Sequence, residues 1–205
     1  MLKNADYIYN NIIKADETTT TKRLCKKAQV GVDLTVKSIE KIVDEGHVLV
    51  DKTYASKTVP IKPRTIKCKD SKKHLCYKLP RGTYIVVFNE GCGFGPSDTG
   101  YVILRSSLNR SGVSIHSAVW DPGYTSVDGD QVLPMSIRMT VDNPHGFIVE
   151  QDARVAQLVV VANESTSTYN GQWQGGRRPP NLYKKYAEFT LEYPSRNKIK
   201  LEREI

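Results

Sequence analysis

The sequence has few cysteines, and none of them are closely paired. Its four cysteines, Cys25, Cys68, Cys76 and Cys92, are scattered without a C-x-x-C motif. A zinc site built from Cys68, His74 and Cys76 would have poor ligand spacing, so ordinary thiols are the simpler interpretation. A disulfide framework is not expected either, because the N-terminus lacks the uninterrupted apolar core of a secretory signal.

Long apolar runs are also missing. No stretch approaches the roughly 20 apolar residues that span a bilayer, so no membrane-spanning helix is predicted. Together with the missing signal, this predicts an intracellular protein of the cytoplasm, with the nucleus as an open alternative. At 205 residues the chain is long enough to bury a core without disulfides or metals.

Negative charge is in deficit. The 30 Lys and Arg against 22 Asp and Glu give a net charge of +8, which suits anionic partners such as phosphorylated small molecules. Much of the excess lies in residues 57–73 and 177–203. No helix-turn-helix pattern, aromatic RNA-binding motif or paired Cys/His finger accompanies these stretches. We interpret them as solvated faces and do not expect nucleic-acid binding.

Short alternating runs bounded by Gly, Pro, Asn and Asp dominate the chain from Val30 onward. Many such runs with turn signals between them predict a β-sandwich or barrel. A short helix is expected at residues 7–15. We predict an N-terminal helix and linker (1–27), a β-barrel domain (28–165), and a flexible tail with a possible extra edge strand (166–205). The candidate strands are 31–39, 47–54, 83–89, 101–106, 112–119, 132–141, 146–150 and 154–162.

The segment LRSSLNRSG concentrates hydrogen-bond donors after an apolar run. Arg105, Ser106, Ser107 and Arg110 follow one another closely, and guanidinium and hydroxyl groups are the donors that surround phosphate oxygens. In the alternative interpretation, Ser106 and Ser107 cap a short helix and the arginines are solvated.

An aspartate ends the apolar segment AVWDPGY. Because Asp121 follows three apolar residues, we expect it to be the last residue of a buried strand, with Pro122 fixing the turn. An acid at the edge of an apolar pocket is suited to hold and deprotonate a water, and Tyr124 would line the same pocket. Alternatively, Asp121 accepts hydrogen bonds from turn N–H groups.

Two further charges interrupt apolar strands. Asp33 lies inside VGVDLTV, and Arg154 begins RVAQLVVV, which also contains Gln157. A buried charge is costly unless it is paired, hydrogen-bonded or near a metal. These two residues are therefore either a structural ion pair or part of a site.

Together, these segments resemble a known family. VGVDLTV, LRSSLNRSG, AVWDPGY, ARVAQLVV and YNGQWQGG occur in the order of the motifs of trimeric dUTPases and the related dCTP deaminases, over roughly residues 28–176. The resemblance implies an all-β, distorted jelly-roll-like barrel. It also implies a homotrimer with three sites at the subunit interfaces.

The resemblance implies a role for each candidate residue. Asp121 would orient and activate the water, and Tyr124 would pack on the deoxyribose. Asp33 would act through water near a Mg²⁺ held mainly by the substrate phosphates, and Arg154 would pair structurally. The phosphate-binding set would be Arg105, Ser106, Ser107, Arg110 and Gln157. The tail closing over the nucleotide would contribute Tyr169, Gln172, Trp173 and Arg177.

The two branches of this family differ by one glutamate. Deaminases of this type use a glutamate after the DPG turn, but no glutamate lies between Glu90 and Glu150, and the expected position falls near Thr140. Threonine cannot shuttle protons with a suitable pKa. We therefore predict Mg²⁺-dependent hydrolysis of dUTP to dUMP and pyrophosphate by water attack at the α-phosphorus. The alternatives are a dCTP deaminase, a bifunctional enzyme, or a non-catalytic nucleotide-binding regulator.

Overall fold

The computed structural model describes residues 1–15, 25–128, 131–165, 167–171 and 173–176. Helix α1 (Ala5–Tyr7) continues as a π-helical turn (Ile8–Ile12), α2 is Ser106–Asn109, and a 3₁₀ turn covers Gln174–Gly176. The strands are β1 (Ile13–Lys14), β2 (Val32–Ile42), β3 (His47–Val48), β4 (Thr53–Tyr54), β5 (Thr58–Pro60), β6 (Arg64–Lys67), β7 (Lys73–Leu79), β8 (Gly82–Phe88), β9 (Gly91–Cys92), β10 (Asp98–Leu104), β11 (Val113–His116), β12 (Val119–Trp120), β13 (Val127–Asp128), β14 (Gln131–Val132), β15 (Ser136–Val141), β16 (Phe147–Glu150) and β17 (Arg154–Ala162).

The largest sheet has the strand order β11-β15-β8-β2-β17-β10-β12, with β5 added to β2. Strand β2 joins its two halves, because the first part of β2 pairs with β17 and the second part with β8. Register shifts between Val36 and Ser38 and between Arg154 and Ala156 bend these strands. The sheet curls into a half-barrel, which confirms the prediction of an all-β, barrel-like fold with a short N-terminal helix.

The core lies inside this curl. Val32, Leu34 and Val36 point inward from β2 and are fully buried, as period-2 alternation requires. Each fully buried aliphatic side chain of this size contributes about 1.5–3 kcal/mol relative to exposure. The other large, fully buried side chains include Phe88, Leu79, Met135, Met139, Leu158, Ile8 and Ile12.

Several candidate strands are broken where the sequence suggested continuity. Residues 47–54 form the β3–β4 hairpin, and 112–119 divides between β11 and β12. Residues 132–141 are interrupted around Pro134, which has no N–H to donate to a ladder. The run at 101–106 ends as a strand at Leu104, and α2 begins at Ser106.

The basic stretch 57–73 contains strands that the sequence interpretation missed. It includes β5 and β6 and leads into β7, and β6, β7 and β16 form a separate three-stranded sheet. Most side chains of β6 are exposed, so its sequence lacks the apolar alternation of a half-buried strand. In β7 itself, the buried residues are Cys76, Tyr77 and Leu79, late in the strand.

The N-terminal helix is shorter and earlier than the predicted 7–15. The Asn4 side chain caps it by accepting a 2.8 Å hydrogen bond from the Tyr7 N–H, and Ile8 and Ile12 enter the core. The domain boundary at residue 27 stays a prediction, and the proposed edge strand after residue 179 lies outside the described residues. Among the described helices, none is long and apolar enough to cross a bilayer.

Candidate active site

The predicted site residues between positions 28 and 165 fall into two groups, one near each end of β10. Trp120 pairs with Gly100, so Asp121 leaves the sheet near Thr99, at the start of the strand. Arg105 follows Leu104, at its other end. With a rise of about 3.4 Å per residue, the six steps from Thr99 to Arg105 place the two groups roughly 20 Å apart within one chain.

The first group, which we term the Asp33 cluster, consists of Asp33, Arg105, Arg154 and Gln157. Arg154 Nη1 lies 3.1 Å from Asp33 Oδ2, and Arg105 Nε lies 3.5 Å from Oδ1. Gln157 Nε2 donates to Oδ1 at 2.9 Å. Asp33 is only 3% exposed, and the two guanidinium groups of Arg105 and Arg154 balance its buried charge. The Asp33–Arg154 ion pair considered from the sequence is present.

The donor-rich segment joins this cluster through Arg105. Arg105 occupies the N-cap position of α2, so neither Ser106 nor Ser107 is the cap. Its guanidinium also donates to the Arg154 carbonyl at 3.2 Å, so Arg105 is not simply solvated, contrary to the alternative interpretation. Ser106, Ser107 and Arg110 are exposed at this end of β10.

The second group is the turn of residues 121–124, which we term the Asp121 turn. The Tyr124 N–H donates to the Asp121 carbonyl at 3.1 Å, and Gly123 has a φ of +76°, which favours glycine. The expectation that Asp121 ends a buried strand is wrong. Strand β12 is the edge of the main sheet and both Val119 and Asp121 are exposed, because an apolar triplet does not reveal which face is covered.

A cavity of about 340 Å³ adjoins the Asp121 turn. Aromatic rings form much of its wall: the centroids of Trp120 and Tyr124 lie 5.2 Å apart, and those of Tyr124 and Tyr169 lie 5.7 Å apart, both edge-to-face. A cavity lined by aromatic rings beside a carboxylate can hold a planar ring that carries polar substituents. The lining residues are Ala118, Val119, Trp120, Asp121, Tyr124, Pro134, Met135, Ser136, Tyr169 and Trp173.

The tail segment, which we define as residues 167–171 and 173–176, brings two predicted residues to this cavity. Tyr169 and Trp173 line it, whereas the predicted Gln172 and Arg177 lie outside the described residues. Gln174, which sequence reasoning did not single out, bonds to Gly123 and Thr125 through its side-chain amide. The only signal for it was its place in the amide- and glycine-rich QWQGG run.

The charged groups do not form a ready-made metal site. Among the described residues, no group of three or more His, Cys, Asp or Glu side chains could hold a metal ion. Both oxygens of Asp33 already accept donors, so direct ligation by Asp33 does not fit, whereas contact through a water would leave these bonds in place. His74 contacts Asp70 and Glu150 through its two ring nitrogens, at 2.9 and 2.8 Å, and Glu150 and Asp70 raise its pKa.

Thr140 and Glu90 are the two positions to compare with the proton-shuttling glutamate that deamination would require. Thr140 lies on β15, with its hydroxyl 3.4 Å from His116 Nε2. Glu90, which sequence reasoning did not consider as a site residue, is fully buried, and burial raises its pKa to about 7. Its carboxyl accepts bonds from the Thr35 N–H and hydroxyl at 2.9 and 2.6 Å. Glu90 is not among the residues lining the cavity, so its contacts are those of a structural group.

Comparison with known proteins agrees with these motifs. The model of the dCTP deaminase-like family matches residues 5–162. The chain is 39% identical over 147 residues to a probable deoxyuridine 5′-triphosphate nucleotidohydrolase of Aeropyrum pernix, covering 71% of this chain and 82% of that protein. It is 33% identical over 148 residues to the deoxyuridine 5′-triphosphate nucleotidohydrolase of Methanocaldococcus jannaschii, covering 72% and 86%. A similar solved structure is the 2′-deoxycytidine 5′-triphosphate deaminase of Agrobacterium tumefaciens, at 15% identity and a TM-score of 0.49, covering 72% of this chain and 42% of that one.

Proposed function

Because this chain belongs to the dCTP deaminase-like family, we propose that it is a dUTP diphosphatase, an intracellular enzyme that hydrolyses dUTP to dUMP and pyrophosphate. Its relatives named as dUTP nucleotidohydrolases support the substrate. The observation that carries the proposal is the pairing of two half-sites. An exposed acid beside an aromatic cavity lies at one end of β10, and a set of guanidinium, hydroxyl and amide donors lies at the other.

The separation of the half-sites supports a site shared between copies of the chain. The outer face of β10 and β12 between them exposes Tyr101 (37%), Ile103 (46%) and Val119 (56%). Leu2, bridged to Val161 of β17, extends this apolar face. Exposed apolar patches of this kind mark interaction surfaces. In a homotrimer that covers this face, the Asp121 turn of one subunit meets the Asp33 cluster of another.

Hydrolysis follows from the chemistry of these groups. The Asp121 carboxylate accepts a proton from a water, whose oxygen attacks the α-phosphorus as the bond to the pyrophosphate oxygen breaks. The guanidinium groups of Arg105 and Arg110 neutralise charge on the phosphate oxygens, and hydrogen bonds from Gln157, Ser106 and Ser107 stabilise the rest. Asp33 holds Arg105 and Gln157 in place. Mg²⁺, bound mainly by the substrate phosphates and contacted by Asp33 through water, would spread the charge of the leaving pyrophosphate.

The nucleoside lies in the aromatic cavity. Tyr124 packs on the deoxyribose, and backbone N–H and C=O groups of residues 114–124 form hydrogen bonds with the uracil. Because backbone groups recognise the base, the side chains of this segment do not reveal its identity. Tyr169 and Trp173 cover the bound nucleotide, with Trp173 as the stacking ring. The cavity size and its aromatic wall support this assignment.

The glutamate content of the sequence favours hydrolysis over deamination. A deaminase of this type needs a proton-shuttling glutamate at the sequence position that Thr140 occupies in this chain. Glu90 does not supply it, because its carboxyl is fully buried against Thr35. A purely binding protein has no need of the exposed Asp121 carboxylate beside the cavity.

The deciding experiment incubates the purified protein with Mg²⁺ and a panel of deoxynucleoside triphosphates, recording pyrophosphate and ammonia together. We expect pyrophosphate from dUTP and no ammonia from dCTP. Ammonia from dCTP would identify a deaminase, and binding without turnover of any member of the panel would identify a regulator.

A further inference from the structure

The tail segment docks onto the Asp121 turn of its own chain. The Tyr169 N–H donates to the Pro122 carbonyl at 2.7 Å, and the Gly175 N–H donates to the Thr125 carbonyl at 2.9 Å. These backbone bonds lie on either side of Gly123 and Tyr124, so the tail is attached to the turn at two points.

Gln174 forms a third attachment between these two. Its Nε2 donates to the Gly123 carbonyl at 3.0 Å, and its Oε1 accepts from the Thr125 N–H at 3.3 Å. One side-chain amide thus satisfies an acceptor and a donor of the turn, as a neighbouring strand would. This amide therefore makes two of the four hydrogen bonds that join the tail segment to residues 122–125.

The turn and tail also fit closely in shape. A Cβ on Gly123 would lie 2.6 Å from Thr168 Cβ, so only glycine permits this approach. Tyr169 is thereby set against Tyr124, and the Trp173 N–H donates to the Tyr169 hydroxyl at 3.3 Å. The two tail aromatics are positioned over the cavity by contacts within one chain.

We propose that each subunit closes its own Asp121 turn in cis, with Gln174 as the positioning residue that holds Tyr169 and Trp173 over the cavity. This inference rests on the proposed function, because it specifies which subunit covers the nucleoside. Each active centre is then built from two subunits. One supplies the Asp121 turn and the tail, and the other supplies the Asp33 cluster.

The first test mixes two full-length variants in one trimer. Asp121→Asn keeps the tail but lacks the water-activating carboxylate. Tyr169→Ala/Gln174→Ala keeps the carboxylate but lacks the Tyr169 ring and the Gln174 attachment. With closure in cis, no centre of a mixed trimer has both, so dUTP turnover stays at the sum of the two parents. Recovery of turnover above that sum would show that the tail crosses to another subunit and would overturn the proposal.

A matched mixture controls for subunit exchange. Asp121→Asn combined with Arg105→Ala should regain turnover, because their defects lie in half-sites that different subunits contribute to one centre. If the wild-type protein does not hydrolyse dUTP, or this control mixture stays inactive, the proposed function or its shared site fails, and the cis contact is then decided by a measurement independent of activity.

That second measurement is a disulfide trap. A Cβ on Gly175 would lie 3.7 Å from Asp128 Cβ, within the usual disulfide range. Full-length Gly175→Cys/Asp128→Cys in a Cys68→Ser background is oxidised and run on a denaturing gel without reductant. We expect a single-subunit band that has lost two free thiols. Covalent dimers or trimers, or no disulfide in a double variant that stays folded, would overturn docking in cis. Because the φ of Gly175 is +74°, circular dichroism of the single variant Gly175→Cys first checks that this substitution leaves the protein folded. Gln174→Ala should slow trapping and raise the KM for dUTP about tenfold, with a smaller change in kcat.

Discussion

The two half-sites are held in place in different ways. Asp33 is buried within the sheet and fixed by ion pairs to Arg105 and Arg154, whereas Asp121 is exposed beyond an edge strand. The Asp33 cluster is therefore part of what makes the fold stable. The Asp121 turn depends on backbone bonds to the tail segment, and its carboxylate is available for chemistry. In this site, the buried acid Asp33 holds neighbouring side chains in place, and the exposed acid Asp121 is the one that reacts.

The largest expected effect comes from removing the exposed acid. Asp121→Asn should lower kcat for dUTP by about 10²–10⁴-fold, because an amide cannot accept the proton of the attacking water. Nucleotide affinity, measured by calorimetry, should stay within a few fold of wild type. The free energy of unfolding should change by no more than about 0.5 kcal/mol, as for other surface positions. A wild-type rate would show that another group activates the water.

Removing the buried acid Asp33 should instead lower the free energy of unfolding. Asp33→Asn leaves the guanidinium groups of Arg105 and Arg154 without their counter-charge, and breaking such a pair costs about 3 kcal/mol. The loss should appear as a lower urea midpoint. Asp142→Asn, at an exposed carboxylate, is the control and should stay within about 0.5 kcal/mol. If Asp33→Asn were as stable as this control, the contrast between the two half-sites would be wrong.

A second buried acid, Glu90, which is hydrogen-bonded to Thr35, adds a pH dependence. Burial raises the pKa of Glu90 from 4.5 to about 7. Because the folded protein holds this proton more tightly than the unfolded chain, the free energy of unfolding should fall as pH rises from about 4.5 to 7. The total loss from this group is about 3 kcal/mol.

Glu90→Gln tests this dependence, because glutamine keeps the shape and stays neutral. The variant should lose this part of the decline and be more stable than wild type above pH 7. Chemical denaturation at a series of pH values measures the slope. Glu164→Gln, at an exposed site, should retain the wild-type slope. An unchanged slope in Glu90→Gln would indicate that Glu90 titrates alike in the folded and unfolded states.

The sequence was enough to identify the residues of the two half-sites, but not the distance between the half-sites. The alternation in β2 and β17 predicts both strands, and the residue types at Asp33, Arg105 and Asp121 indicate their chemistry. The roughly 20 Å between the groups depends on how β12 and β17 pair with β10, and pairing register is not visible in local sequence. Gln174 was missed because its partners are backbone atoms, which any sequence supplies.

The smallest expected effect concerns one hydroxyl in the tail. Tyr169→Phe keeps the ring against Tyr124 but removes the acceptor of the Trp173 N–H. A net loss of about 1 kcal/mol or less predicts an increase of up to about fivefold in the KM for dUTP, with kcat nearly unchanged. Steady-state kinetics on the full-length protein measures it, with Tyr54→Phe, on the distant β3–β4 hairpin, as control. A larger fall in kcat than in affinity would show that the Tyr169 hydroxyl takes part in the reaction. The tail segment would then contribute to catalysis as well as covering the bound nucleotide.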